Sequence, residues 1–191
     1  MRYHDWHAEP GYWNDVVRHF DPGDLLLDLG CGSAWLGGHF PRYVGVDDHP
    51  EALAGSRARV VRGDVARLPL ADATFDAVVC KDVLEHVADP RLVIREVRRV
   101  LRPGGRVYVS VPDAQRWVWE DYTHVRPYPR RALRRLLTDE GLTVERLGHE
   151  SVMAGVGIVS RWSPWHRRPW PYRLLARTRL ARRNVWALAR A

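Results

Sequence analysis

Residues 25-LLLDLGCGSAW-35 decide the reading of the fold. A short apolar run carries one aspartate, Asp28, and stops at Gly30 and Gly32. Such a run, closed by glycines, predicts a buried strand that leaves its sheet through a tight turn. The dinucleotide fingerprint Gly-x-Gly-x-x-Gly would place a third glycine where this chain has Trp35. A pyrophosphate wants that close backbone approach; a smaller ligand without phosphates does not.

Outward from this turn, strand-like runs recur at 43–47, 59–63, 75–80 and 106–111, with further candidates at 142–147 and 152–159. Helical stretches lie between and around them: 11–20, a short one near 33–39, Glu51 to about Ser56, 90–101 and 129–140. Val93, Ile94, Val97, Val100 and Leu101 share one face of the fourth, which Pro103-Gly104-Gly105 ends. The last starts at a proline, stops at Gly141, and sets Arg130, Arg131, Arg134 and Arg135 opposite Leu133, Leu136 and Leu137. Near-continuous apolar strands alternating with helices predict an α/β fold, a mostly parallel sheet covered on both faces. Right-handed crossovers then gather the strand C-terminal ends on one edge, where open sheets of this kind bind ligands.

Three acids fall on that edge: Asp28 in the first strand, Asp47 at the end of the second and Asp64 at the end of the third. A carboxylate in the position of Asp47 can accept hydrogen bonds from both hydroxyls of a ribose. The set suits a ligand that carries positive charge, such as an ammonium and a sulfonium.

Composition narrows the classes. The 191 residues suffice for one domain with a sizeable core. With 46% hydrophobic and 28% charged residues the chain is globular, not disordered. No run approaches the roughly 18 apolar residues of a membrane span, and no signal segment is expected at the start. Two cysteines, Cys31 and Cys80, make no disulfide framework, so a reduced cytoplasmic setting is the expectation. The formal net charge is +7, yet no acid follows Glu150 and nine arginines follow Gly157. The basic balance therefore belongs to the tail.

At this point the chain resembles a known family, the class I S-adenosylmethionine-dependent methyltransferases, specifically the small ones related to quinone-biosynthesis C-methyltransferases. Five pieces carry the resemblance in the family's order: DLGCGSA, VGVDDHPEAL, RGDVARLPLADATFDAVVCKDVLEHVADP, REVRRVLRPGGRVYVSVP and YTHVRPYPRRALRRLLTDEGL. They span about residues 20–150. The resemblance implies a Rossmann-like three-layer sandwich with a seven-stranded, mostly parallel sheet whose last strand is antiparallel. It implies S-adenosyl-L-methionine as cofactor. Asp28, Gly30 and Gly32 match the loop under its methionine part, and Asp47 the ribose-binding acid. Asp64 and Val65 match the adenine-holding pair, and Lys81 a position that meets the cofactor through its backbone. Cys31, inside the turn, and Asp48, beside Asp47, complete the cofactor-side set, although packing and helix capping are their plainer readings. One departure is Ala34, where the family often has a third glycine.

In-line methyl transfer to an oxygen or nitrogen can need a general base. His124, in 122-YTHVRP-127, is the first candidate and His86, in 82-DVLEHV-87, the second. Trp119 and Tyr122 are candidates for walling the acceptor site. His4 and His7 lack partners at metal-ligand spacing, and no metal is expected. Cys31 and Cys80 read as packing rather than nucleophiles. No Gly-x-Ser-x-Gly elbow or phosphate loop occurs.

The expected organisation is a methyltransferase domain over 1–160 and an arginine- and tryptophan-rich extension over 161–191. Residues 173–190 can form an amphipathic helix, with Leu174, Ala181, Val185 and Leu188 along one side. Such a tail covers its own domain, lies on anionic lipid or, less favoured, binds nucleic acid. The expected function is methyl transfer to a small-molecule or lipid- or sugar-bearing acceptor. The alternatives are an RNA methyltransferase using the tail and a non-catalytic cofactor-binding scaffold.

Overall fold

The computed structural model describes residues 13–50, 54, 56–151 and 182–191. Chain order gives α1 (Asn14–Val17), β1 (Leu26–Leu29), β2 (Tyr43–Asp47), β3 (Val60–Arg62), β4 (Phe75–Lys81), α2 (Pro90–Val100), β5 (Leu101–Pro112), α3 (Arg130–Asp139), β6 (Thr143–Ser151) and β7 (Arg182–Arg190). Short 3-10 turns cover Trp35–Gly38, Leu84–His86 and Arg116–Glu120.

The strands form one seven-stranded sheet in the order β3-β2-β1-β4-β5-β7-β6. β3, β2, β1, β4 and β5 pair in parallel, and β7 is antiparallel to both β5 and β6. The last strand is therefore the antiparallel one, as expected.

Consecutive residues of the inner strands point to opposite faces, and both faces are covered. Leu27, Leu29, Val44, Val46, Val78 and Cys80 join Val93, Ile94, Val97 and Val100 of α2 and Leu133 and Leu137 of α3. On the other face Leu26, Tyr43, Ala77, Val79, Tyr108 and Leu188 pack with Trp13, Val16, Phe20, Leu36 and Phe40. Double coverage is why β1 and β2 read as unbroken apolar runs.

Helix α2 is set by local chemistry. Asp89 caps it by accepting from the Arg91 N–H at 3.0 Å, Pro90 opens it, and Arg98 and Arg99 sit on its last turn. It ends at Val100, and β5 starts at once, five residues before the expected 106. The extra length pairs Leu101 with Phe75 across a bulge. Gly105 is needed there, because a Cβ would lie 3.0 Å from the Arg102 carbonyl oxygen and 3.1 Å from that of Asp76. On α3 the four arginines are exposed, and Leu133 and Leu137 are buried. Buried Glu140 ties the helices together by accepting from Arg91 Nε and, at 2.7 Å, from Arg95 Nε.

The tail departs from expectation. Residues 182–190 are not the end of an amphipathic helix but a strand inside the sheet. Val185, Ala187 and Ala189 face one core and Trp186 and Leu188 the other. Flanked on both sides, the strand satisfies its backbone donors and acceptors in the ladder, which a surface helix would do without burying these side chains. The last residues thus complete the sheet rather than extend from it. Residues 161–181, the strand candidate at 152–159 and most of the stretch from Glu51 to Ser56 lie outside the described residues, as do His4 and His7.

Candidate functional site

The glycine turn leaves β1 in an unusual backbone course. Gly30, Gly32 and Ala34 all have positive φ, of 66°, 49° and 55°. At Gly30 a side chain is also excluded by space, since a Cβ would lie 2.5 Å from Val83 Cγ2. Gly30 and Cys31 donate their N–H groups to the Val46 carbonyl at 2.8 and 3.1 Å, which docks the turn against the end of β2. Ala34 meets the left-handed geometry with a methyl group, at a cost of about 1–2 kcal/mol. That cost is the physical sense of a glycine there.

Asp47 ends β2 and is buried. Its Oδ2 accepts from the Gly32 N–H at 2.9 Å and its Oδ1 from the His49 N–H at 2.9 Å. The carboxylate is thus aimed along the turn, and each oxygen keeps a lone pair for a ligand hydroxyl. A Cβ on Gly32 would meet nothing within 4 Å, so the turn borders open space. Asp48 turns away, its side chain 74% exposed beside His49.

Asp28 is 2% exposed and accepts from the Tyr43 hydroxyl at 2.8 Å. Burial pushes its carboxyl up to about 7, the Tyr43 bond works against this, and the Asp47 charge adds to it. Its place is beneath the turn. Cys31 is buried, and burial with the charges of Asp28 and Asp47 pushes its thiol up to about 12. Burial likewise raises the Cys80 thiol, so neither is a nucleophile.

Asp64 follows β3, is exposed, and accepts from the Ala66 N–H at 2.8 Å, with Val65 half-buried beside it. Lys81 is placed differently from a ligand-facing side chain. It is 3% exposed, donates to Glu150 Oε2 at 2.7 Å and lies 3.6 Å from Asp82 Oδ2. Burial opposes its charge, but Asp82 and Glu150 more than offset this and hold the ammonium above its usual range. Glu150 Oε1 accepts from the Tyr108 hydroxyl at 2.6 Å. Asp82, with a positive φ of 54°, accepts from Asn184 Nδ2 at 2.5 Å.

The other pole lies after β4. Glu85, His86 and His124 each bring one ligand-type atom within 4.8 Å of the others. The two imidazole rings stand 4.8 Å apart, edge to face. Burial and the neighbouring His124 lower the His86 pKa, and burial with the Asp82 charge raises Glu85 well above the carboxylate range. Both predicted histidines are therefore brought together. Trp119 and Tyr122 are not gathered around them in a closed wall: they are 57% and 96% exposed. Sequence reasoning missed Glu85, although 85-EH-86 adjoined a chosen residue. It also missed Glu150, Tyr108 and Asn184, whose partners lie 42 to 102 residues away and leave no local signal.

Residues 27–109 match the family described as a methyltransferase domain. A protein of Mycolicibacterium smegmatis described as a "probable S-adenosylmethionine-dependent methyltransferase" is 34% identical over 159 residues, covering 72% of this chain and 62% of the relative. A demethylmenaquinone methyltransferase of Mycolicibacterium vanbaalenii is 39% identical over 108 residues, 51% of this chain and 47% of the relative. The chain spans about half the length of the curated relatives it matches. Among solved structures, an S-adenosylmethionine-dependent methyltransferase from Mesorhizobium loti superposes with a TM-score of 0.70, covering 94% of this chain and 97% of the other at 19% identity. That likeness shows the fold.

Proposed function

We propose that this chain, which carries a methyltransferase domain over residues 27–109 on the fold of the S-adenosylmethionine-dependent enzymes, transfers the methyl group of S-adenosyl-L-methionine to a small-molecule acceptor. The observation that carries the reading is Asp47, fixed by the Gly32 and His49 amides beside a turn that opens onto free space. Bound there, the cofactor would supply an electrophilic methyl group on a sulfonium. Asp47 would hold the ribose hydroxyls, the Gly30–Gly32 backbone the methionine part, and Asp64 the exocyclic amine of adenine. Asp28 would support the turn from below through its bond to Tyr43. His86 and His124 would serve the acceptor. Their part in the transfer is to orient it, in a half-buried setting that limits water.

Calorimetric titration with S-adenosylmethionine, S-adenosylhomocysteine and NAD tests the cofactor. Micromolar binding of the first two, and none of NAD, is expected. No binding of either sulfur compound by folded protein overturns the reading.

The finer proposal is an acceptor with a quinone-like ring, supported by the demethylmenaquinone methyltransferase relative. Residues 161–181, which hold six arginines and three tryptophans, would contact an anionic lipid surface. Salt-dependent pelleting with anionic liposomes tests this contact, and no pelleting at low salt removes it.

A further inference from the structure

We propose that Glu85, His86 and His124 form a binding site for one divalent first-row transition cation. Three observations carry it. The first is proximity: one atom from each residue lies within 4.8 Å of the others. Bonds of about 2.1 Å to a cation hold its ligands roughly 3–4 Å apart, so a small contraction completes the set.

The second is an unpaid carboxylate oxygen. Glu85 is 1% exposed, and its Oε2 has no hydrogen-bond partner. Buried polar atoms are almost always paired, and an exception calls for a cause.

The third is the preparation of both rings. His124 Nδ1 lies 2.6 Å from the Val118 carbonyl oxygen, which can only accept, so Nδ1 carries the proton. Thr123 Oγ1 spends its single proton on Asp121 Oδ1 at 2.6 Å. It must then accept from His86 Nδ1 at 3.0 Å. Each ring therefore keeps a lone pair on Nε2. A carbonyl or hydroxyl behind the distal nitrogen is the usual outer support of a metal-bound histidine. The frame is also pinned: the Val125 N–H donates to the Glu85 carbonyl at 2.7 Å, locking the turn after β4 to the segment that carries His124. Asp121 Oδ2, 3.7 Å from His124 Nε2, is a fourth ligand atom within reach.

Two imidazoles and a carboxylate favour manganese, iron, cobalt, nickel or zinc over magnesium and calcium, which take oxygen. The other cluster of such groups among the described residues, Asp47, Asp48 and His49, lacks this preparation, because both Asp47 oxygens already accept backbone N–H bonds. The inference goes beyond methyl transfer. It assigns His124 to a cation at Nε2 rather than to proton transfer.

The test uses chelator-treated, untagged full chain titrated with Co2+ and followed by visible absorption. One equivalent with ligand-field bands is expected. Glu85→Gln and His124→Ala should weaken binding at least tenfold, and His4→Ala/His7→Ala should leave it unchanged. Thr123→Val, which removes the support behind His86 together with the bond to Asp121 Oδ1, should weaken it about 10- to 100-fold. Co2+ binding that survives both ligand substitutions, or that is lost with His4 and His7, overturns the proposal, as does absence of binding. S-adenosylhomocysteine titration of the same samples keeps the two readings apart. Cofactor binding without Co2+ binding sinks only the metal site; the reverse sinks only the methyl-transfer reading. Glu85→Gln that folds, binds S-adenosylhomocysteine normally and still takes Co2+ shows a structural carboxyl alone.

Discussion

At the scale of single residues the site is a small set of side chains whose environments differ sharply. Asp47→Ala should weaken S-adenosylmethionine binding by about 100-fold or more. Charge-assisted bonds contribute about 1.5–3 kcal/mol each, and the variant also releases the Gly32 and His49 amides. Calorimetry on protein that melts cooperatively checks it, and unchanged affinity removes the ribose role. Asp28 makes a pH prediction. Its carboxyl titrates near 7 in the fold and near 4 in the unfolded chain, so the folded state binds the extra proton between these values. Its contribution to stability is whole below about pH 4 and is lost as pH rises to about 7, a span of roughly 4 kcal/mol. Asp28→Asn, which still accepts from Tyr43, should gain on the wild type through that window and run parallel above it. Urea melts from pH 4 to 8 decide; parallel curves throughout would show an ordinary carboxylate. Ala34→Gly should stabilise by about 0.5–1 kcal/mol, the left-handed strain relieved less the extra freedom of the unfolded chain. A lowered melting temperature would count against that geometry.

At the scale of elements, what was legible follows from what each element buries. β1, β2 and β4 lie inside the sheet with both faces covered, so their sequences are apolar runs bounded by glycine or aspartate, with no competing period. α2 and α3 announce themselves by Pro90 and Pro129, a cap at Asp89, and one apolar stripe each. β7 gave no such signal. Val185-Trp186-Ala187-Leu188-Ala189 is short and mostly small, and satisfies a strand of period 2 as well as the helical stripe through Val185 and Leu188. The choice is made elsewhere, by the slot between β5 and β6. A chain ending at 181 should therefore fail to fold cooperatively. It leaves both neighbours with unpaired ladders and exposes the cores that Val185, Ala187 and Leu188 close. A sigmoidal thermal melt near the full-length midpoint would show that the sheet stands without its seventh strand.

At the scale of the whole molecule, the acceptor-side pole is positioned by residues far from it in sequence. Lys81 ends β4, Asp82 follows it, and Glu85 and His86 come within one turn. Lys81 is held by Glu150 of β6, Glu150 by Tyr108 of β5, and Asp82 by Asn184 of β7, which also donates to Ser110 Oγ at 3.2 Å. One buried polar network thus anchors the end of β4 to the three strands on its far side. It was illegible for a physical reason: a lone lysine and a glutamate 69 positions later carry no shared period, and only the sheet order brings them together. The network makes Glu150→Ala a sharp test. It takes the Glu150 carboxylate from the buried Lys81 ammonium, which keeps Asp82 at 3.6 Å, and from the Tyr108 hydroxyl. Breaking a buried pair from one side costs about 3–5 kcal/mol. The loss should shrink in alkali, where the lysine gives up its charge. A companion variant, Glu150→Gln, keeps an acceptor for Tyr108 and should cost less. Because Asp47 and the glycine turn stand on the other side of β1, cofactor affinity should fall far less than stability. Chemical denaturation and calorimetry on both variants read the two quantities separately, and an Ala variant as stable as the wild type would mean that the network does not anchor the site.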